Sequence, residues 1–296
     1  MNFGRRTPAP EALRIVHRAL ELGVRVFDTA NAYENGESER ILGAALRGRP
    51  EEVVIATKVG LRRVRGEAEG LSAATIQKSV EESRVRLGRA SIDVLYLHQP
   101  DPQTPFDETL NTVNALIADG KMSAWGMSNF ASWQILEAIH LADAIGLARP
   151  RIGQYVYNLL IRELEIEFFA FASRFGVHTT VYNPLAGGLL TNGLDATRFR
   201  SNKLYQQRYF SERLRAEASA YAAVATDVGL SLSTLALQFL AATTPVDSVI
   251  LGPATLAQLE DAVLALGSPL SPEGIALVNA RHRAYLGTTT HYARPA

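Results

Sequence analysis

Four side chains in the first third of the chain have the types needed to move a proton: Asp28, Tyr33, Lys58 and His98. Asp28 ends the apolar run within GVRVFDTANAYENGESERIL (residues 23–42), Tyr33 follows in a turn, and an amphipathic helix opens near Ser38. Lys58 ends VVIATK and His98 ends IDVLYLH. The C-terminal ends of strands face the mouth of an α/β sheet or barrel, where such folds keep their chemistry. Singly each residue has an ordinary reading: an Asp after a strand caps or turns the chain, and a loop Tyr packs. Three successive strands ending this way let the side chains converge. Together they make a proton-donating device. Tyr33 is the acid, Lys58 stabilises its phenolate and lowers a pKa of about 10, Asp28 holds Lys58, and His98 orients a carbonyl. One His, one Asp and a Lys without cysteine do not make a zinc or iron site.

The elements that must position these groups alternate. Helical spacing over residues 10–21 (Leu13, Val16, Leu20) ends at Gly23. Strands are expected at 53–57, 92–97, 124–127, 152–156, 177–182 and 248–251. Helices are expected at 72–87 with Ser72 as N-cap, 106–119, 133–145, 166–175, 211–228, 231–242, 256–266 and 272–284. Residues 183–209 read as a long functional loop. The alternation predicts a parallel sheet with outer helices, and 296 residues with 47% hydrophobic content match one (β/α)8 TIM barrel spanning residues 1–296 as a single domain.

Thirty basic and thirty acidic residues balance, so no global field favours nucleic acid or an anionic membrane. The partners expected are small molecules. The absence of cysteine excludes disulfides and thiol nucleophiles, and no apolar run reaches the roughly 18 residues of a membrane span, which makes the cytoplasm the default compartment. A homodimer is left open as the assembly.

The motifs DTANAYENGESERILGAAL, ATKVG, DVLYLHQPD, GKMSAWGMSNF, QYVYN, YNPLAGGLLT and SVILGPATLAQLE resemble, in this order, those of the aldo-keto reductases. HQPD followed by TPFDETL, with the late YQQRYF and HYAR, is most similar to the branch of aflatoxin-aldehyde and succinic-semialdehyde reductases. The resemblance implies an NADPH-dependent barrel enzyme reducing a small-molecule carbonyl substrate, with Asp28, Tyr33, Lys58 and His98 as its catalytic tetrad. A non-catalytic NADPH-binding subunit of the same fold is the alternative, and a cofactor-free barrel lyase or hydrolase is a more distant one. Family members carry a hairpin and a full first strand before the point where MNFGRR stands. Most of the first strand is therefore expected to be missing, with a start assigned too late in the reading frame as the preferred explanation, and a C-terminal helix and tail are expected over the mouth.

No GxGxxG follows a strand, so a Rossmann site is not supported. Ser128, Asn129 and Gln154 can hydrogen-bond a carboxamide and Tyr182 can stack on a nicotinamide ring, although capping, barrel pairing and core packing are their ordinary readings. The resemblance places all four on nicotinamide-binding positions. It also implies cofactor contacts at Asn183, Leu185, Gly187, Gly252, Thr255 and Gln258, in the loops after the last two strands where barrels bind phosphate. Arg198 matches a contact suited to a 2′-phosphate. Two departures weaken the adenosine grip: Thr191-Asn192-Gly193 lacks the usual Gly-Lys, and Ala262 replaces an Asn. Tyr205, Arg208 and Arg294 match substrate-contacting positions, and two arginines in an aldehyde pocket suggest a carboxylate on the substrate.

Overall fold

A computed structural model describes residues 2–49, 53–64, 67–191, 207–209 and 211–287. The elements follow in chain order as α1 (Ala9–Glu21), β1 (Val26–Asp28), α2 (Glu37–Ala45), β2 (Val54–Val59), β3 (Arg63–Val64), β4 (Glu67–Ala68), α3 (Ala73–Leu87), β5 (Ile92–Leu97), α4 (Phe106–Ala118) and β6 (Met122–Ser128). After these come α5 (Ser132–Ala144), β7 (Ile152–Val156), α6 (Phe168–Phe175), β8 (His178–Tyr182), α7 (Glu212–Asp227), α8 (Leu232–Ala242), β9 (Ser248–Val249), α9 (Leu256–Leu266) and α10 (Pro272–Leu286). One sheet has the strand order β1-β2-β5-β6-β7-β8-β9, and β3 pairs with β4 in a separate antiparallel hairpin. The pairs β1–β2, β2–β5, β5–β6, β6–β7 and β8–β9 are parallel. This is the alternation of a (β/α)8 barrel, with seven of its strands among the described residues.

By contacts the chain divides into two compact units. The first comprises Met1–Gln154, Gly176–His178 and Gly252–Leu259; the second comprises Tyr155–Phe175, Thr179–Leu251 and Glu260–Ala296. In the first unit, strand register sorts side chains onto two faces because successive residues point to opposite sides. Ala56 pairs with Val94 and Val94 with Ala124, and these with Tyr96 and Ile152 form one apolar cluster. On the other face, Ile55 packs with Val16, Leu20, Leu42 and Leu87 of α1, α2 and α3. Each such buried aliphatic side chain contributes about 1.5–3 kcal/mol. Gly126 lies between the paired strands: a Cβ there would stand 2.4 Å from the Ile152 carbonyl oxygen and 2.9 Å from the Tyr96 ring. A side chain at 126 would displace Tyr96.

In the second unit the buried Arg162 stacks on Phe239 and pairs with Glu165, while Arg281 bonds the buried Glu217. Apolar Leu237, Ala262 and Ala265 pack with Leu185 and Leu251. No single helix among the described residues is long and apolar enough to cross a membrane.

The expected elements are present, with corrections at several ends. Helix α2 starts at Glu37, one residue before Ser38 and after Gly36, whose φ of 85° breaks the preceding turn; the Ser38 hydroxyl meets Thr29 Oγ1 at 2.9 Å. Ser72 does cap α3, accepting from the Thr75 N–H. The sixth strand begins at Met122 rather than residue 124, and the last ends at Val249 rather than 251. The helix expected from residue 166 begins at Phe168, after a 3-10 turn at Glu163–Glu165. The β3–β4 hairpin was not expected, because Arg, Val, Glu and Ala in two-residue strands carry no apolar alternation. The C-terminal tail expected over the mouth, residues 288–296, lies outside the described residues.

Candidate active site

Asp28, Tyr33, Lys58 and His98 come together in the first unit. Lys58, on the inward face of β2, is 1% exposed and its ammonium donates to Asp28 Oδ1 and to the Thr29 carbonyl at 2.9 Å. The second Asp28 oxygen accepts from Gln154 Nε2 at 2.9 Å, which excludes the simple turn-capping reading of this acid. The Lys58 ammonium lies 5.3 Å from the Tyr33 ring centroid and 5.7 Å from that of Tyr96. The two rings thus flank a cation that is already neutralised by a carboxylate. Tyr96 was not singled out from sequence, yet it stands two residues before His98 and on the same strand face as Lys58, so alternation alone would have found it.

His98 packs edge-on against Tyr33, with ring centroids 5.9 Å apart and an interplanar angle of 79°. Its pKa is pushed down to about 3, first because burial penalises the imidazolium and second because the Lys58 ammonium repels it. The ring is therefore neutral at physiological pH, and its Nδ1 is buried with no hydrogen-bond partner among the described residues. A neutral imidazole donates one hydrogen bond and cannot itself deliver a strong acid's proton. That leaves the phenol beside Lys58 as the group suited to protonate an oxyanion.

The strand ends that carry these groups are tied to one another. Asn129, in the left-handed region at φ 66°, donates from Nδ2 to the His98 carbonyl at 2.9 Å and to Ser128 Oγ at 3.0 Å. Ser128 Oγ donates to the Gln154 carbonyl at 2.9 Å, and the Asn129 N–H bonds the same oxygen. Ser128, Asn129 and Gln154 therefore converge beside Asp28 and Lys58. The set is amide and hydroxyl in character, which fits a neutral carboxamide such as that of nicotinamide. Behind the site, Thr57 donates to the fully buried Glu39 at 2.6 Å, and Glu39 is paired with Arg86. Sequence reading did not single out this support, because its members lie far apart in the chain.

The expected cofactor positions at the last loop are also in the first unit. Thr255 Oγ1 accepts from the Gln258 N–H at 3.3 Å and Gln258 Oε1 accepts from the Ala254 N–H at 2.8 Å, a reciprocal cap on α9. The Gly252 carbonyl accepts from Asn2 Nδ2 at 2.7 Å.

Tyr182, Asn183, Leu185 and Gly187 are in the second unit. Tyr182 ends β8, and the Arg208 guanidinium lies 5.9 Å from its ring centroid. Asn183 has φ 58° and its carbonyl accepts from Asn158; Gly187 has φ 68° in a 3-10 turn that begins just after Leu185. Arg198, Tyr205 and Arg294 lie outside the described residues.

The sequence model of the Aldo/keto reductase family matches residues 1–282. The chain is 34% identical to "Aflatoxin B1 aldehyde reductase member 2" of Homo sapiens, over 96% of this chain and 84% of that protein. It is 33% identical to "Aldo-keto reductase family 7 member A3" of Homo sapiens, over 96% and 92%. It is also 31% identical to a "Probable voltage-gated potassium channel subunit beta" of Arabidopsis thaliana, over 90% and 85%. The chain is an oxidoreductase-type barrel and belongs to the aldo/keto reductase family.

Proposed function

We propose that the chain is a cytoplasmic NADPH-dependent aldehyde reductase in which residues 1–296 act as one barrel domain. The observation that carries this reading is the Lys58 ammonium, paired with Asp28 and set beside the Tyr33 ring, with a neutral His98 edge-on to the same ring. NADPH, when bound, supplies the hydride for the carbonyl carbon. Tyr33 protonates the carbonyl oxygen, and Lys58, held by Asp28, stabilises the phenolate left behind. His98 donates one hydrogen bond to the carbonyl oxygen and so fixes its orientation. Ser128, Asn129 and Gln154 would hold the carboxamide, Tyr182 would offer its ring face to the nicotinamide, and Asn183, Leu185, Gly187, Arg198, Gly252, Thr255 and Gln258 would hold the rest of the nucleotide.

The substrate class proposed is carboxylated aldehydes of the succinic-semialdehyde type, with Arg208 and Arg294 receiving the carboxylate and Tyr205 as a further substrate contact; dicarbonyls and aromatic aldehydes are the further candidates. The relatives named for aflatoxin aldehyde reduction support the aldehyde; the arginines support the acid. The test is to titrate the purified 296-residue protein with NADPH by fluorescence, then add succinic semialdehyde and follow oxidation of the cofactor. Tyr33→Phe should bind NADPH as the parent does and lose about 10²–10⁴-fold in turnover. Undiminished turnover would remove Tyr33 as the acid. The relative named as a channel beta subunit favours a second reading, a nucleotide-binding subunit, and binding without turnover on a broad aldehyde panel would select it.

A further inference from the structure

We infer that Glu69 is a positioning residue, a clamp that sets the Tyr33 turn against the Lys58 strand end. Glu69 follows the β3–β4 hairpin, and its side chain is 3% exposed. Its Oε1 accepts from Asn31 Nδ2 at 2.7 Å and from the Gly60 N–H at 2.8 Å. Its Oε2 accepts from Arg62 Nε and Ser79 Oγ, both at 3.1 Å. Four donors fill the lone-pair sites of a carboxylate, so this group is fully used.

The two branches of the carboxylate lead to different places. Arg62 and Ser79 anchor it to the hairpin and α3, and Arg62 continues to Glu82 at 2.7 Å. Asn31 and Gly60 belong to the site. Asn31 is completely buried between Asp28 and Tyr33, and its own N–H bonds the Lys58 carbonyl at 3.2 Å. Gly60 stands just past Lys58, in the left-handed region at φ 104°. One oxygen therefore holds the turn that delivers Tyr33 and the strand end that delivers Lys58. The 5.3 Å separation of ammonium and phenol ring depends on that oxygen. Charge-assisted hydrogen bonds of this kind are the stronger and shorter class, which suits them to fixing a position.

The inference rests on the reductase reading for its consequence in turnover, and its own test includes a readout that needs no turnover. That readout is the titration of the Tyr33 phenol, taken as the tyrosinate absorbance of each protein minus that of its Tyr33→Phe counterpart. Asn31→Ala and Glu69→Ala should each lower kcat about 10-fold to 10²-fold, the scale set by misplacing a reacting group by about 1 Å. KM for NADPH should stay within about threefold, and the Tyr33 titration should move up by about one pH unit as the phenolate loses Lys58. Glu69→Gln keeps an oxygen for Asn31 and Gly60 and should restore much of kcat. Ser79→Ala, which cuts only the anchoring branch, should leave both readouts as in the parent.

Asn31→Ala leaves the rest of the carboxylate's partners in place, so it decides the matter if Glu69→Ala does not fold. A folded Asn31→Ala protein with parental kcat and parental Tyr33 titration would overturn the clamp while leaving the reductase standing. Ser79→Ala matching Glu69→Ala in both readouts would overturn it too, since the role would then be general stability. A parent protein that reduces no aldehyde, yet whose Tyr33 titration moves in Asn31→Ala, would support the clamp and end the reductase reading.

Discussion

His98→Gln should make stability less sensitive to acid. The imidazole's pKa falls from 6.5 to about 3 in the folded chain, first through burial and then through the Lys58 ammonium. On unfolding the ring regains its ordinary pKa and takes up a proton whenever the pH is below about 6.5. The unfolded state then binds more protons than the folded one, so stability is lost as pH falls from 6.5 toward 3 and is intact above 6.5. Between pH 7 and pH 5 the loss from this group works out at about 2 kcal/mol, since the unfolded ring is almost fully protonated at the lower pH and the folded ring hardly at all. Glutamine is polar, of similar size, and does not titrate. Urea unfolding of parent and His98→Gln at both pH values gives a double difference, expected at about 2 kcal/mol in the parent's disfavour. A double difference near zero would show that His98 titrates normally in the fold, and the neutral hydrogen-bond donor assigned to it would have to be given up.

Lys58→Met removes one member of a buried pair and leaves the Asp28 carboxylate with Gln154 as its remaining side-chain partner among the described residues, which should cost about 3–5 kcal/mol in denaturant unfolding. Adding Asp28→Asn to that variant should recover part of the loss, and strict additivity would mean that the two charges do not depend on each other. Gly126→Ala should cost about 1–3 kcal/mol, because its methyl has no room beside the Ile152 carbonyl and Tyr96; a stability equal to the parent's would show that the β6–β7 pairing yields easily. Arg208→Ala should raise KM for succinic semialdehyde about tenfold and leave that for an uncharged aldehyde unchanged, and equal effects on both would separate Arg208 from carboxylate recognition.

The fold class and the convergence of Asp28, Lys58 and His98 were legible in the sequence for one reason. In a parallel βα alternation, a residue at a strand's C-terminal end has a fixed place in the fold, so Asp28, Lys58 and His98 could be set at one mouth without any contact being known. Helix limits were legible where a side chain marks them locally, as Ser72 and Ser211 do, each accepting from a backbone N–H in the first turn. The start of α2 was legible to within one residue of Ser38, but the use of the Ser38 hydroxyl was not, since Thr29 meets it across a buried contact.

Tertiary structure alone decided the rest. Gln154 reaches Asp28 across 126 residues of sequence, Arg86 reaches Glu39 across 47, and Glu69 reaches Asn31 across 38. No periodicity or spacing encodes such pairs, because they are fixed by strand register and by which helix packs on which strand. The neutral state of His98 belongs with them, since it comes from the packing that removes water from the ring and from the cation that β2 places nearby. The sequence by itself determined which chemical groups stand at the strand ends; burial and partnership, which depend on the whole packed unit, determined the charge each group carries there and how firmly it is held.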